Sequence, residues 1–197
     1  MLKPIFQQKN AVGRRTLMAL TKGFTLIELM VTVAVLAIVA VVAIPAFGNL
    51  ISSNRLSAQT NEFLSAVTYA RSEAIRLNRN VMFCNTTDGA TCNVTSGSWS
   101  QWLVLDPING VLQTSITLNA NIKVLSDAGM DNDAIVFTPL GLARNAANTR
   151  LPLNSIIRVC LEGSSVTPNS RDLLISSGGR AVINRFDGNG SCIRPRA

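Results

Sequence analysis

The chain has 197 residues, enough for a short N-terminal segment and one globular domain with a core of its own. It contains no histidine, which excludes Ser-His and Cys-His nucleophile pairs and every histidine metal site. The formal net charge is +7, and removing residues 1–22 with their five cations lowers it to +2. Those cations are Lys3, Lys9, Arg14, Arg15 and Lys22. The composition therefore argues against an enzyme, and most of the basicity belongs to the N-terminus.

The first predicted element is an apolar run from Phe24 to Phe47, interrupted only by Thr25, Glu28, Thr32 and Pro45. A helix over this run would be about 36 Å long, since each residue adds about 1.5 Å, and a hydrocarbon core measures about 30 Å. The sequence therefore predicts one transmembrane helix over residues 24–47. The five cations before it place the N-terminus in the cytoplasm, so that the rest of the chain is periplasmic in a bacterium.

Glu28 is the one charged side chain in this run. A carboxylate within a bilayer costs on the order of 2 to 3 kcal/mol and needs a cation. No Lys or Arg lies between Phe24 and Asn54. A cut between Gly23 and Phe24 would supply a new cation, the α-amine of Phe24.

The segment from Lys22 to Leu29, KGFTLIEL, resembles the processing site of type IV prepilins and type II secretion pseudopilins. The resemblance implies that residues 1–23 are a leader, that a prepilin peptidase cuts between Gly23 and Phe24, and that it methylates the new amine. It also implies that Glu28 pairs with the terminal amine of a neighbouring subunit during assembly.

The N-terminus has two other interpretations. In an ordinary signal anchor, Glu28 would be incidental. In a secretory signal peptide, the cut would follow Ala46-Phe47-Gly48, but the apolar run exceeds the usual length of about 7 to 15 residues and contains an acid.

Residues 48–197 form the predicted head, which begins with an amphipathic helix over residues 52–80. Its apolar residues recur at helical spacing and should face a core. They are Leu56, Phe63, Val67, Ala70, Ala74 and Leu77.

The head continues with a β-rich region, residues 81–197. Strands are predicted at 81–84, 99–105, 111–118, 122–125, 134–138, 155–161, 172–176 and 180–185, with a loop at 140–154. Asn109-Gly110 is a strong turn signal and predicts a hairpin between the second and third strands. A long helix followed only by strands predicts an α+β fold, in which an antiparallel β-sheet packs on the apolar stripe of the helix.

Four cysteines, Cys84, Cys92, Cys160 and Cys192, follow the predicted span and would lie in an oxidising compartment. An even number there predicts two disulfides, for which three pairings exist. The Asp88-Gly89 turn favours Cys84 with Cys92, which leaves Cys160 with Cys192. The alternative is free buried thiols.

Further motifs resemble the FimT/FimU/GspH group of minor pilins and pseudopilins, and most of all its FimT branch. They include Ser53–Leu56, Tyr69–Ile75, Trp99–Trp102, Phe137–Gly141 and Gly179-Arg180. The resemblance implies a lollipop shape, no catalytic residues and no cofactor. It also implies a role in pilus assembly or priming, with prepilin peptidase and other major and minor pilins as partners. The chain would then reside in the inner membrane and, after assembly, in the pilus; a pseudopilin of a type II secretion system is the alternative.

The C-terminal segment is basic, because Arg171, Arg180, Arg185, Arg194 and Arg196 face only Asp172 and Asp187. Arginines of this kind are candidates for contacts to DNA phosphates. The resemblance to FimT proteins implies a Gly-Arg-x-Arg motif for DNA binding in natural transformation. This sequence has Gly179-Arg180-Ala181-Val182, so DNA binding would need Arg185, Arg194 and Arg196 instead of a second motif arginine. The alternative is a solvated edge.

No metal site is predicted. Asp131–Asp133 and Asp187–Gly190 place oxygen ligands at short spacing, but neither has the twelve-residue pattern of a calcium loop.

Overall fold

The structure is a computed structural model that describes residues 23–93, 97–118 and 121–196, without the side chains of Val42, Pro45 and Ala46. The predicted leader, apart from Gly23, lies outside the described residues. The chain divides into two compact units, Met1–Ala43 and Ile44–Ala197.

The helix α1 comprises Leu26–Leu77, 52 residues. It begins after Thr25, whose hydroxyl oxygen accepts a hydrogen bond from the N–H of Glu28 at 3.2 Å. A threonine N-cap three residues before a glutamate is a capping-box sequence. The sequence predicted two helical stretches, 24–47 and 52–80, and the structure has one helix instead.

The C-terminus of α1 comes three residues before the predicted end at Asn80, because Asn78 adopts the left-handed conformation with φ 52°. The N–H of Arg79 donates to the carbonyl of Ala74 at 3.2 Å, and the N–H of Asn78 donates to that of Ile75 at 3.3 Å. This pair of bonds is a Schellman motif, which satisfies two carbonyls that the helix leaves unpaired.

In the first unit, the described residues are Gly23–Thr25 and the first part of α1. The described large apolar side chains of this part are exposed; Leu26 and Ile38, for example, expose 77% and 70% of their surface. Among the residues whose side chains the structure describes, no helix is both long and apolar enough to cross a membrane.

The second unit contains two antiparallel sheets where the sequence predicted one. The first has the strand order β3-β2-β1-β5-β6, and the second has β4-β7-β8-β9. In chain order the strands are β1 (Val81–Thr86), β2 (Gln101–Asp106), β3 (Gly110–Thr114), β4 (Ile122–Ser126), β5 (Ala134–Phe137), β6 (Ala143–Asn145), β7 (Ser155–Leu161), β8 (Ser170–Ile175) and β9 (Ala181–Phe186).

These elements confirm the predicted α+β class. The β2–β3 hairpin is also confirmed, with Gly110 at φ 82° closing its turn. The sequence missed β6, which lies in the predicted loop 140–154 and pairs Ile135 of β5 with Asn145.

The core of the second unit combines residues of α1 with residues of both sheets. The predicted stripe is buried from Leu56 to Ala74, and Leu77 packs against it. Phe63 lies at its centre, with its ring centroid 6.2 Å from that of Phe83 and 5.6 Å from that of Trp99. Aromatic pairs at such distances add to the stability that burial provides.

Candidate functional site

The predicted processing segment is exposed and lies outside any regular element. Gly23, Phe24 and Thr25 precede α1, and Phe24 exposes 82% of its surface. No atom lies within 4 Å of the position that a Cβ on Gly23 would occupy. The bond between Gly23 and Phe24 is therefore accessible to a protease, and only Phe24 and Thr25 separate it from the helix.

Glu28 lies in the first turn of α1, where the helix dipole favours a carboxylate. Its backbone N–H is held by Thr25, but none of the described residues forms an ion pair or hydrogen bond with its side chain. The carboxylate is exposed. It is therefore available to a cation that another molecule or a new N-terminus supplies.

Two disulfide bonds cross-link the second unit. Cys84 of β1 bonds to Cys92, with the Cα atoms 5.6 Å apart, and Cys160 of β7 bonds to Cys192, with the Cα atoms 5.7 Å apart. This is the pairing that the turn at Asp88-Gly89 favours. The second disulfide bond attaches the C-terminal segment to β7.

A buried ion pair supports the same segment. Arg158 of β7 donates two hydrogen bonds to the Asp172 carboxylate, at 2.6 and 2.7 Å, and a third to the carbonyl of Ile193 at 3.0 Å. Its guanidinium also lies 3.6 Å above the ring centroid of Phe186. Arg158 and Asp172 therefore have a structural role, and Asp172 does not neutralise the arginines beyond it.

Of the four arginines named from the sequence for DNA, three line two adjoining clefts, since Arg196 shares one with Arg180 and another with Arg194, and Arg185 lies apart from them. Arg180 and Arg196 both line a cavity of about 550 Å³, whose apolar wall includes the cross-strand neighbours Ile156, Leu174 and Val182. Arg194 donates from Nε to the carbonyl of Ser126 at 2.9 Å. Arg185 lies on the opposite face of β9, in a cleft with Arg171.

Three of the motif residues instead meet at a structural junction, which the sequence did not reveal. Arg71 of α1 donates from Nε to the carbonyl of Gly141 at 3.0 Å. A Cβ on Gly179 would lie 2.0 Å from that same carbonyl oxygen, and Gly179 has φ 75°. Only glycine fits both requirements. Each residue came from a separate motif, and their contact depends on tertiary structure alone.

The acidic turns are used by the fold. The Asp133 carboxylate accepts hydrogen bonds from the N–H of Gly97 and the hydroxyl of Ser126, and Asp187 accepts one from the N–H of Asn189. Across the described ranges, no group of three Cys, Asp or Glu side chains is placed to hold a metal ion.

Comparisons with known proteins agree with this architecture. The chain resembles two crystal forms of the type IV minor pilin FimU of Pseudomonas aeruginosa PAO1. The first has 20% identity and a TM-score of 0.51, and the match covers 67% of this chain and 90% of that one. The second has 18% identity and a TM-score of 0.45, with 68% and 91% covered. No curated protein matches the chain.

The fold is thus that of a pilin head, a class of structural proteins. Residues 59–179 match the family described as type II transport protein GspH, and residues 18–44 match the prokaryotic N-terminal methylation motif. The first match covers more than half of the chain, which therefore belongs to the GspH family, within the FimT/FimU/GspH group of type IV minor pilins and pseudopilins. Membership implies processing by a prepilin peptidase and interaction with other pilins.

Proposed function

We propose that this chain is a FimT-like minor pilin, which a prepilin peptidase cuts between Gly23 and Phe24 and which then takes part in assembling or priming a type IV pilus. The observation that carries the proposal is the geometry of the processing segment. The bond to be cut is exposed, it immediately precedes the N-cap of α1, and the Glu28 carboxylate has no partner among the described residues.

Residues 24–47 would anchor the chain in the inner membrane in a single pass, with the N-terminus in the cytoplasm and residues 48–197 in the periplasm. The support is the exposed apolar surface of the first part of α1 together with the cations that precede it. Moving one exposed leucine or isoleucine side chain out of water completely is favourable by roughly 1.5 to 3 kcal/mol. Lipid would cover this surface before assembly, and neighbouring pilin helices would cover it afterwards.

In the assembled filament, the Glu28 carboxylate would pair with the α-amine of Phe24 in a neighbouring subunit. The pairing fixes the axial position of one helix against the next, because a charge buried among apolar side chains needs its counter-charge at hydrogen-bonding distance. The head would supply the contacts that distinguish this subunit from others.

Intact-mass measurement of the membrane-purified protein tests the processing step. We expect loss of residues 1–23 and a gain of one methyl group, and no processing when Gly23 is replaced by leucine. A mature chain that begins at Asn49 would instead establish the signal-peptide interpretation.

A deletion strain distinguishes a pilus subunit from a secretion pseudopilin. We expect fewer surface pili, measured by shearing and immunoblotting, with secretion through a type II system unchanged. The reverse result would assign the chain to the secretion machine.

Binding of DNA for uptake is a second candidate, which the cavity between Arg180 and Arg196 favours. Two exposed guanidiniums beside an apolar wall can contact phosphates while a base covers Ile156 or Val182. With two phosphate contacts, binding should be micromolar or weaker, and the logarithm of the affinity should fall by only about 1.8 for each tenfold rise in salt. Titration of labelled DNA at two salt concentrations tests this: the Arg180→Gln/Arg196→Gln variant should lose the binding, and Arg144→Gln should retain it. An unchanged affinity in the double variant would remove this candidate.

A further inference from the structure

A polar cleft of about 260 Å³ lies within the second unit, between α1 and the last two strands of the second sheet. Two arginines, three polar helix residues and one isoleucine line it: Arg171, Arg185, Ser57, Thr60, Asn61 and Ile183. Nothing in the processing or assembly proposed above uses this cleft.

The two arginines are direct cross-strand partners. Arg171 of β8 pairs with Arg185 of β9, so both side chains leave the same face of the sheet. Like charges placed opposite each other destabilise a strand pair. Arg171 exposes only 6% of its surface, and burial, followed by the charge of Arg185, lowers the pKa of its guanidinium.

The fold orients Arg171 without neutralising it. Its Nη1 donates to the carbonyl oxygens of Pro168 and Ser170, at 3.0 and 2.9 Å. Within the part of the chain that the structure describes, neither Arg171 nor Arg185 forms an ion pair. Burying a charge without a counter-charge costs free energy of folding. The cleft therefore lacks an anionic group that would offset this cost.

The acids close in sequence to the cleft residues have other partners. Asp187, two residues after Arg185, accepts a hydrogen bond from the N–H of Asn189 at 3.0 Å. Asp172 follows Arg171 in the strand, points to the opposite face and holds Arg158. Glu62 of α1 accepts hydrogen bonds from the indole N–H of Trp102 at 3.0 Å and from the amide of Gln59 at 2.8 Å. The acids that the structure describes therefore leave Arg171 and Arg185 without a counter-charge.

We propose that the cleft binds one oxyanion group, either a phosphate ion or the carboxylate of an acidic side chain on another subunit, between the guanidiniums of Arg171 and Arg185. A guanidinium offers paired N–H donors that match both kinds of group. The hydroxyls of Ser57 and Thr60 donate to the helix carbonyls of Ser53 and Leu56, which leaves the Asn61 amide as the additional donor.

The test uses the full-length protein in detergent micelles, labelled with ¹⁵N-arginine. Inorganic phosphate is titrated at constant ionic strength against chloride, and the Nε–Hε signals of Arg171 and Arg185 are followed by NMR. We expect saturable shifts in the wild type and in the control variant Arg144→Gln, which loses the same charge outside the cleft. Arg185→Gln should bind phosphate at least about tenfold more weakly, because a charge-assisted hydrogen bond is lost.

An acetate titration distinguishes the two sources of the oxyanion. Comparable shifts with acetate indicate a protein carboxylate, and shifts with phosphate alone indicate the free ion. A second variant, Asn61→Asp, places a carboxylate on the cleft wall with little change of shape. It should raise the melting temperature and abolish phosphate binding, since the arginines then have an internal partner.

Three results would overturn the proposal. The first is the absence of saturable arginine shifts with both anions. The second is equal weakening in Arg185→Gln and Arg144→Gln, which would indicate a general effect of net charge. The third is wild-type phosphate binding by Asn61→Asp.

Discussion

The two stretches of α1 use similar side chains for opposite purposes. In the first unit, Leu36 and Ile38 expose 66% and 70% of their surface, whereas Leu56 and Phe63 in the second unit expose none. The later stretch buries one stripe of apolar residues from Leu56 onward, and most residues on its other faces are polar, with Ile75 the half-exposed exception. The earlier stretch is apolar all round, as expected of a helix that other apolar molecules surround.

Head stability and assembly therefore depend on different stretches of one helix. The chain's own sheets cover the later stretch, so substitutions there should change the free energy of unfolding of the head. Substitutions in the earlier stretch should leave that free energy unchanged and act on membrane insertion or filament formation.

The largest effect is expected from Phe63→Ala. Removing a fully buried ring that touches Phe83 and Trp99 should cost about 3 to 5 kcal/mol of unfolding free energy, because the cavity cannot be refilled. Ile38→Ala is the matched change in the exposed stretch and should leave head unfolding unchanged. Denaturant titration followed by tryptophan fluorescence measures both, and equal destabilisation by the two variants would show that the two stretches contribute alike to the stability of the head.

Next in size is the loss of the Cys160–Cys192 bridge through paired serine substitutions. The cysteines are 32 residues apart, so the loop-closure estimate is about 3.7 kcal/mol. The corresponding estimate for Cys84–Cys92, which are 8 apart, is about 2.5 kcal/mol. Urea titration of both double variants should preserve this order, and non-reducing peptide mapping of the wild type should recover these two pairs and no Cys84–Cys160 peptide.

Gly179→Ala should cost at least about 2 kcal/mol, because it combines a positive φ with a Cβ placed 2.0 Å from the carbonyl oxygen of Gly141. Gly163→Ala is the control, since its φ is 68° but no atom lies within 4 Å of its Cβ position. That change should cost about 1 kcal/mol. If both lower the melting temperature equally, the close approach at Gly179 contributes nothing.

The smallest effect on folding belongs to Glu28→Gln, which should leave both the cut after Gly23 and the unfolding of the head unchanged. Its amide cannot form an ion pair with the terminal amine, so incorporation into sheared pili should fall. Mass analysis and immunoblotting of the sheared fraction measure the two outcomes. Wild-type incorporation would show that the carboxylate is not needed for assembly.

Local patterns in the sequence were sufficient for the helix stripe, the α+β class and the β2–β3 hairpin. Each depends on residues that are close in the chain: the helical spacing of Leu56, Phe63 and Val67, or the Asn109-Gly110 turn. The disulfide pairing could also be favoured from one local turn, at Asp88-Gly89.

The structural features that the sequence did not predict depend on pairing between segments that are distant in the chain. β6 is short and polar, and it becomes a strand only because β5 offers it an edge. The division into two sheets likewise follows from strand order, which no local pattern encodes. The sequence shows that Arg171 and Arg185 are charged. The alternation of side chains along a strand also predicts on which face of its own strand each one lies. Only the register of β8 against β9 places them opposite each other.

The pairing of the cysteines along the sequence also affects how the disulfide bonds form. Both disulfides join cysteines that are neighbours in sequence, the first with the second and the third with the fourth. In the proposed topology the N-terminus stays in the cytoplasm and the chain is translocated in order from residue 48, so Cys84 and Cys92 emerge before the other two cysteines. An oxidase that joins thiols in order of arrival therefore makes both native bonds directly. Oxidative folding of this protein should accordingly depend on a thiol oxidase. It should not need a disulfide isomerase, which rearranges wrongly paired cysteines.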